Sequence, residues 1–127
     1  MMRRQKISDR VTEFVLTRGT DELAMLKVSN IAATFGVNPS YLSRIFKGDK
    51  DITLNEFITG EKMFRSVGLL KKDRHMTMDD LARIVGFSRA DYFITLFKNY
   101  YGVHPKKFKR ARRSRGVTSG GSRVSGC

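Results

Sequence analysis

The stretch DLARIVGFSRADYFITLFKNYYGVHP, Asp80 to Pro105, decides how the rest of the chain is read. Thr77 and Asp80 resemble a capping box, with Asp in place of the usual Glu, for a helix over Met78 to Val85. Gly86 ends that helix. Ser88 is expected to cap a second one, from Arg89 to about Tyr100, whose inner face is Phe93, Leu96, Phe97 and Tyr100. Gly102 breaks the chain again and Pro105 closes the turn. Two short amphipathic helices around a glycine turn make a helix-turn-helix signature.

A looser copy lies about fifty residues upstream. Ser29 is expected to cap a short helix, Asn30 to Phe35, with Ile31, Ala32 and Phe35 inside, and Gly36 breaks it. Asn38 then supplies an N-cap, and Pro39 takes the first helical position, where its missing N–H costs nothing. The helix that follows, to about Lys47, turns Leu42, Ile45 and Phe46 inward, with Tyr41 at the boundary. Ser40, Ser43, Arg44 and Lys47 face outward. Ile31, Ala32, Gly36 and Val37 correspond to Leu81, Ala82, Gly86 and Phe87 at a spacing of fifty. Tyr41, Leu42, Ile45, Phe46, Lys47, Ile52 and Phe57 correspond to Tyr92, Phe93, Leu96, Phe97, Lys98, Val103 and Phe108 at fifty-one. Matching Ala, Gly, Tyr and a Phe-Lys pair in order points to duplication rather than to a chance pairing of amphipathic helices.

Outward from the two motifs, the pattern stays helical. Ile7, Val11, Phe14 and Val15 share one face of a helix to Arg18, with Gly19 as its C-cap and another helical turn over Asp21 to Leu26. A polar turn, Gly48 to Asp51, leads into a longer helix from about Thr53 to Leu70, with Leu54, Phe57, Ile58, Phe64 and Leu70 as its apolar positions. Gly60 and Gly68 lie inside it, each costing about 1 kcal/mol against Ala, so a bent or weak helix is expected. Lys71 to Met76 is a charged connector, and a last helix runs from Pro105 into an arginine-rich run. The expected organisation is a basic arm (1–6), a first helix-turn-helix subdomain (7–52), a linker helix (53–71), a second subdomain (72–112) and a flexible Gly/Ser tail (113–127).

Composition narrows the partners. The chain has 127 residues, 40% of them hydrophobic, which suits one domain or two very small ones. The formal charge of +13 calls for a polyanion, a nucleic acid or a membrane surface. The alternative is a solvated tail, since Lys106 to Arg115 alone holds seven basic residues. The single cysteine, Cys127, rules out an internal disulfide or a Cys-based metal site and fits a reducing cytosol. A cytoplasmic, nucleoid-associated protein is expected. The apolar runs are too short to span a membrane, and MMRRQK is not followed by the apolar core of a secretory signal. His75 and His104 are isolated, there is no glycine-rich nucleotide loop, and no nucleophile stands beside a base. Neither an enzyme nor a cofactor or metal is expected.

The second motif, LARIVGFSRADYFITLFKNYYGVHPKKF, resembles the I-A-x-x-x-G-F…Y-F…F-K…G-x-x-P…(Y/F) pattern of the DNA-binding domain of AraC/XylS-type transcription regulators. The first, IAATFGVNPSYLSRIFK, is similar to the other half of that domain, and the likeness covers about Ile7 to Arg112. The resemblance implies an all-α, homeodomain-like fold of about seven helices, in two helix-turn-helix subdomains joined by a linker helix. It also implies two recognition helices entering successive major grooves of double-stranded DNA, ~34 Å apart, within one chain. By family precedent the protein is an activator, with RNA polymerase as a further candidate partner. The effector domain that such regulators often carry has no room here, so no small-molecule effector site is expected, whether the chain stands alone or ends a longer regulator. There are departures from the pattern: Lys62 for the usual Arg, Ser66 for a small Ala, Gly60 and Gly68 in the linker helix, and Asp51 for the turn glycine.

Base reading requires outward side chains near the start of each second helix. In the first motif these are Ser40, Ser43 and Arg44, which also match base-reading positions of the family. Arg44 is the strongest candidate, because a guanidinium bonds O6 and N7 of guanine together; its bland reading is a solvated arginine or a phosphate contact. In the second motif they are Ala90, Asp91, Ile94 and Thr95, a face poor in long donors. Ala90 and Ile94 suit thymine methyls, and Asp91 suits either cytosine N4 or a capping role with Ser88. Asn38, Lys47, Thr77, Ser88, Arg89 and Lys98 are candidates for the phosphate backbone, and KKFKRARRSR for a salt-sensitive term. Tyr41, Tyr92, Phe93 and Phe97 are expected in the core rather than as stacking platforms. Two competing readings remain: a protein-interaction module with degraded DNA reading, and a nonspecific nucleic-acid binder.

Overall fold

The computed structural model describes residues 5–73 and 75–110, with the side chains of 109 and 110 left aside, and it holds eight helices. They are α1 (Ile7–Thr17), α2 (Thr20–Ala24), α3 (Val28–Phe35), α4 (Pro39–Lys50), α5 (Leu54–Lys72), α6 (Met78–Ile84), α7 (Ala90–Tyr101) and α8 (Lys106–Arg110). The all-α expectation holds. The count is eight rather than about seven, because the short segments α2 and α8 are each helices of five residues. The start of the basic arm, most of the arginine-rich run and the Gly/Ser tail lie outside the described residues.

The residues divide at Glu61 and Lys62 into two compact units. In the first, α1 and α3 pack on α4. Val11, Val15, Leu23, Ile31, Ala32, Leu42 and Phe46 form its core, joined by Leu54 and Ile58 from the start of α5. Most of the apolar stripe predicted for these helices is therefore what they bury, but Ile45, predicted to face inward on α4, is half-buried and outside this core. Two polar ties fasten the start of α1 to the last turn of α4. The buried Ser8 hydroxyl donates to Asp49 Oδ2 at 2.5 Å, and Lys50 Nζ lies 2.6 Å from Asp9 Oδ1. The Lys50 ammonium holds the Asp9 carboxyl below the usual aspartate range.

In the second unit α6 packs on α7. Met63, Val67 and Leu70 of α5, Leu81, Ala82 and Val85, and Phe93 and Phe97 form the core. Phe108 of α8 meets Phe97 and Tyr101 edge-on, with ring centroids 5.5 and 5.6 Å away. The departures in α5 are accommodated locally. The buried Ser66 hydroxyl donates to the Met63 carbonyl at 2.6 Å, and the Lys62 ammonium lies 5.3 Å from the Phe87 ring centroid. Gly60 and Gly68 do not break α5, which runs as one helix of 19 residues.

Both motifs turn in the same way. Val37 N–H bonds the Ala32 carbonyl around Gly36 at φ 69°, and Phe87 N–H bonds the Ala82 carbonyl around Gly86 at φ 100°. The spacing of fifty is thus repeated in the backbone hydrogen bonds. At the far ends of α4 and α7, Asp51 and Gly102 occupy the left-handed region at φ 65° and 77°, so Asp51 does adopt the conformation of the glycine it replaces.

Several boundaries and side chains differ from the sequence reading. Gly19 begins α2 instead of closing α1, α3 starts two residues early at Val28, and α4 continues through Gly48 to Lys50. Thr53 and Glu56 form a reciprocal capping box at the start of α5, with bonds of 2.9 and 3.0 Å. Thr77 accepts the Asp80 N–H, but the Asp80 carboxylate turns to Arg83 at 2.6 Å, so only half of that box exists. Phe64 is exposed, its place in the core being taken by Met63. Tyr100 is exposed too, and Tyr101 packs in its stead, 4.8 Å from Phe97 between ring centroids. Tyr41 and Tyr92, expected in the core, are 42% and 57% exposed. Each sits one residue before the buried Leu42 or Phe93, about 100° around the helix from it.

Candidate nucleic-acid interface

The open face of α4 carries the first set of candidates. Asn38, at φ −74° and ψ 137°, accepts the N–H groups of Ser40 and Tyr41 at 2.8 and 3.2 Å. That starts the helix with Ser40, Ser43, Arg44 and Lys47 on its solvent side, all exposed. With Pro39 and Thr53 these four line one shallow, open depression. Leu42 and Phe46 hold the opposite side of α4 in the core, which determines which way this face points. Among the described residues the Arg44 guanidinium makes no ion pair or hydrogen bond, so its fork of donors is open to a ligand.

The exposed face of α7 is differently occupied. Thr95 and Lys98 are exposed, but the Thr95 hydroxyl donates back to the Asp91 carbonyl at 3.0 Å. Ala90 and Ile94 are half-buried against the core of their unit, which leaves only part of each for a thymine methyl. At the start of the helix, Arg89 Nε lies 3.0 Å from Asp91 Oδ1 and Arg89 Nη2 lies 2.7 Å from Oδ2. Their mutual hydrogen bonding lowers the Asp91 pKa and raises that of Arg89. Asp91 Oδ1 also accepts the Tyr92 N–H at 2.9 Å. Ser88 is exposed and does not cap α7, which begins one residue later with Arg89 at its N-cap position. The capping role weighed for Asp91 with Ser88 is therefore not met: α7 has no side-chain cap hydrogen bond.

A family model described as a helix-turn-helix domain matches residues 31–111, more than half of the chain. The Msm operon regulatory protein of Streptococcus mutans is 34% identical over 85 residues, which is 67% of this chain and 30% of that protein. A Proteus vulgaris protein named as the probable transcription factor PqrA is 31% identical over 66% of this chain and 68% of its own length. The chain belongs to the AraC/XylS-type family of DNA-binding helix-turn-helix transcription regulators. The C-terminal domain of AraT, a response regulator from Geobacillus stearothermophilus, aligns with a TM-score of 0.74 at 25% identity over 96% of this chain and 98% of that one. AdaA of Bacillus subtilis, named a bifunctional transcriptional activator and DNA repair enzyme, is 31% identical over 80% of this chain and 46% of its own length. The chain thus spans less than half the length of the Msm operon regulatory protein and of AdaA.

Seen as an AraC-type domain, the chain presents its expected contact residues unevenly. The first motif brings Ser40, Ser43, Arg44 and Lys47 together in one depression, with Asn38 beneath them as a cap. Thr53 in that depression escaped the sequence reading because it lies beyond the motif, in the turn after α4. The second motif divides its residues between the core, its own backbone and the Arg89–Asp91 pair. Thr77 is exposed at the start of α6, its hydroxyl oxygen already accepting the Asp80 N–H. No helix among the described residues is long and apolar enough to cross a membrane.

Proposed function

We propose that this chain is a sequence-specific DNA-binding regulator that places α4 and α7 in two successive major grooves and activates transcription. The observation that carries the reading is the open face of α4, where Ser40, Ser43 and Arg44, unpaired among the described residues, stand together above a helix start capped by Asn38. A recognition helix reads base edges with such residues, and a free guanidinium bonds guanine O6 and N7 together. Asn38, Lys47, Thr77, Ser88 and Lys98 serve the phosphate backbone, and the +13 charge supplies the sequence-independent attraction. The chain acts as a binding protein rather than an enzyme, and contact with RNA polymerase on the bound promoter completes activation.

The test is a binding-site selection from random duplexes, followed by affinity measurements on selected and random sequences across a salt series. Arg44→Ala is expected to lose ~1–3 kcal/mol of discrimination at one base pair. Thr95→Ala is expected to lose much less, because the Thr95 hydroxyl is bonded to its own helix. Equal losses from the two variants contradict the reading. A selected-to-random ratio near one with a steep salt slope turns it into a charge-driven binder. Absence of duplex binding turns it into a protein-interaction module.

A further inference from the structure

The Arg89–Asp91 pair is ill-suited to the phosphate contact first expected of Arg89. As a unit the pair is neutral. A phosphate approaching the guanidinium meets the Asp91 carboxylate at the same time, and like charges repel. A base edge carries no net charge, so that objection does not apply to it.

The bonds already made leave one particular edge of the guanidinium open. Arginine has five N–H donors in a planar fork. Nε–H and one Nη2–H are taken by Asp91, at 3.0 and 2.7 Å. Among the described residues both Nη1–H groups and the second Nη2–H remain without a partner, and they form the end of the fork with two parallel donors. That is the edge which matches O6 and N7 of guanine. The carboxylate is itself anchored, since Oδ1 accepts the Tyr92 N–H of the first helical turn at 2.9 Å. The guanidinium is thus held in place before any ligand arrives, which reduces the side-chain freedom lost on binding.

We propose that Arg89, braced by Asp91, reads a guanine in the major groove, so that α7 reads sequence from its start rather than from the middle of its exposed face. The proposal rests on the DNA-binding reading above. It also accounts for Thr95. At the repeat spacing of fifty-one, Thr95 stands where the first motif has Arg44, and Arg89 stands where it has Asn38. The second motif has therefore moved its arginine six residues toward the helix start, ~9 Å along the axis at 1.5 Å per residue. It follows that the two half-sites are not copies of each other, and that their guanines sit at different places. The lone pairs left on Asp91 suit a cytosine N4 amino group beside that guanine.

The experiment is binding-site selection by the full chain and by Arg89→Ala, Arg89→Lys and Asp91→Asn, followed by affinities for single-base variants of the selected duplex over a salt series. The two side chains are 71% and 70% exposed, so the variants leave the core intact, which circular dichroism checks. The wild type is expected to prefer one guanine in the second half-site by roughly 5- to 150-fold. Arg89→Ala and Arg89→Lys both remove that preference, because lysine keeps the charge but lacks the fork. Asp91→Asn weakens it while raising affinity for all duplexes. The proposal is overturned if Arg89→Ala weakens every duplex alike, lowers the salt slope by about one, and leaves the selected sequence unchanged while Arg89→Lys restores binding, the pattern of a phosphate contact. A wild-type chain that selects no sequence overturns the DNA-reading function as well. A selected site whose guanine responds to Arg44 but not to Arg89 overturns this inference alone.

Discussion

Replacing Asp51 by Gly should stabilise the first unit by about 1 kcal/mol. Asp51 closes α4 at φ 65° and ψ 9°, and it is the one non-glycine residue with positive φ among the described residues. A β-carbon in this region costs roughly 1–2 kcal/mol, and among the described residues the Asp51 carboxylate makes no hydrogen bond that would offset it. The Asp51 carboxylate also stands at the negative end of the helix dipole, unfavourable by ~0.3–1 kcal/mol and toward the lower figure for so exposed a group. Against these gains, glycine adds ~0.4–1 kcal/mol of unfolded-state entropy. The expected order of stability is Gly, then Asn, then Asp, because Asn tolerates the conformation and removes the charge. Ala keeps the strain that Gly relieves and so falls below Gly. The second unit supplies the mirror experiment. Gly102 closes α7 at φ 77° and ψ −2°, and a β-carbon there would meet nothing within 4 Å. The cost of Gly102→Ala is thus conformational, again about 1 kcal/mol. Urea titrations followed by far-ultraviolet circular dichroism measure each variant, with amide exchange in α1 and α4 assigning the change to the first unit. A gain of this size raises Tm by about 4–8 °C in a domain of 60–100 residues. An Asp51→Gly protein no more stable than the wild type, or an alanine variant as stable as the glycine one, refutes the argument from backbone strain.

Phe97→Ala should cost about 3–5 kcal/mol and melt the second unit selectively, since Phe97 is fully buried and meets the rings of Phe93, Tyr101 and Phe108; circular dichroism and amide exchange in α6 and α7 read it. Stability of the second unit should also depend on His104. Burial, then Lys106 and Lys98, hold its pKa below the ordinary histidine value, and its Nδ1 accepts the Lys106 N–H at 3.1 Å. The unfolded chain therefore takes up this proton first. The contribution is fully present above the ordinary histidine range and is lost as pH falls through that range toward the lower folded value. Urea midpoints in mildly alkaline and mildly acidic buffer test this, and a His104→Gln protein with the wild-type pH slope would sink the assignment.

Much of the candidate site was legible because amphipathic helices report their own solvent face. The buried Leu42 and Phe46 leave Ser40, Ser43, Arg44 and Lys47 outside, and the structure gathers those four around one depression. Asn38 was legible as a cap because a short acceptor before a proline has one good use. Positions on the flank of the apolar stripe were not legible. Tyr41, Tyr92 and Tyr100 lie where periodicity alone does not separate core from surface, and the choice between Tyr100 and Tyr101 falls to where Phe108 comes to rest.

By itself the sequence determined the all-α class, the duplicated helix-turn-helix and its family, through glycines at the two turns and apolar residues at helical spacing. It also singled out Asp51, the aspartate that the backbone holds in a glycine conformation. Only the three-dimensional structure decided the chemistry at the start of α7. Residues two apart in a helix point to different sides, so a helical reading that started at Arg89 kept it and Asp91 separate, one for phosphate and one for a base. The helix in fact starts one residue later. Arg89 is extended, at φ −129° and ψ 133°, and its side chain folds back onto the Asp91 carboxylate.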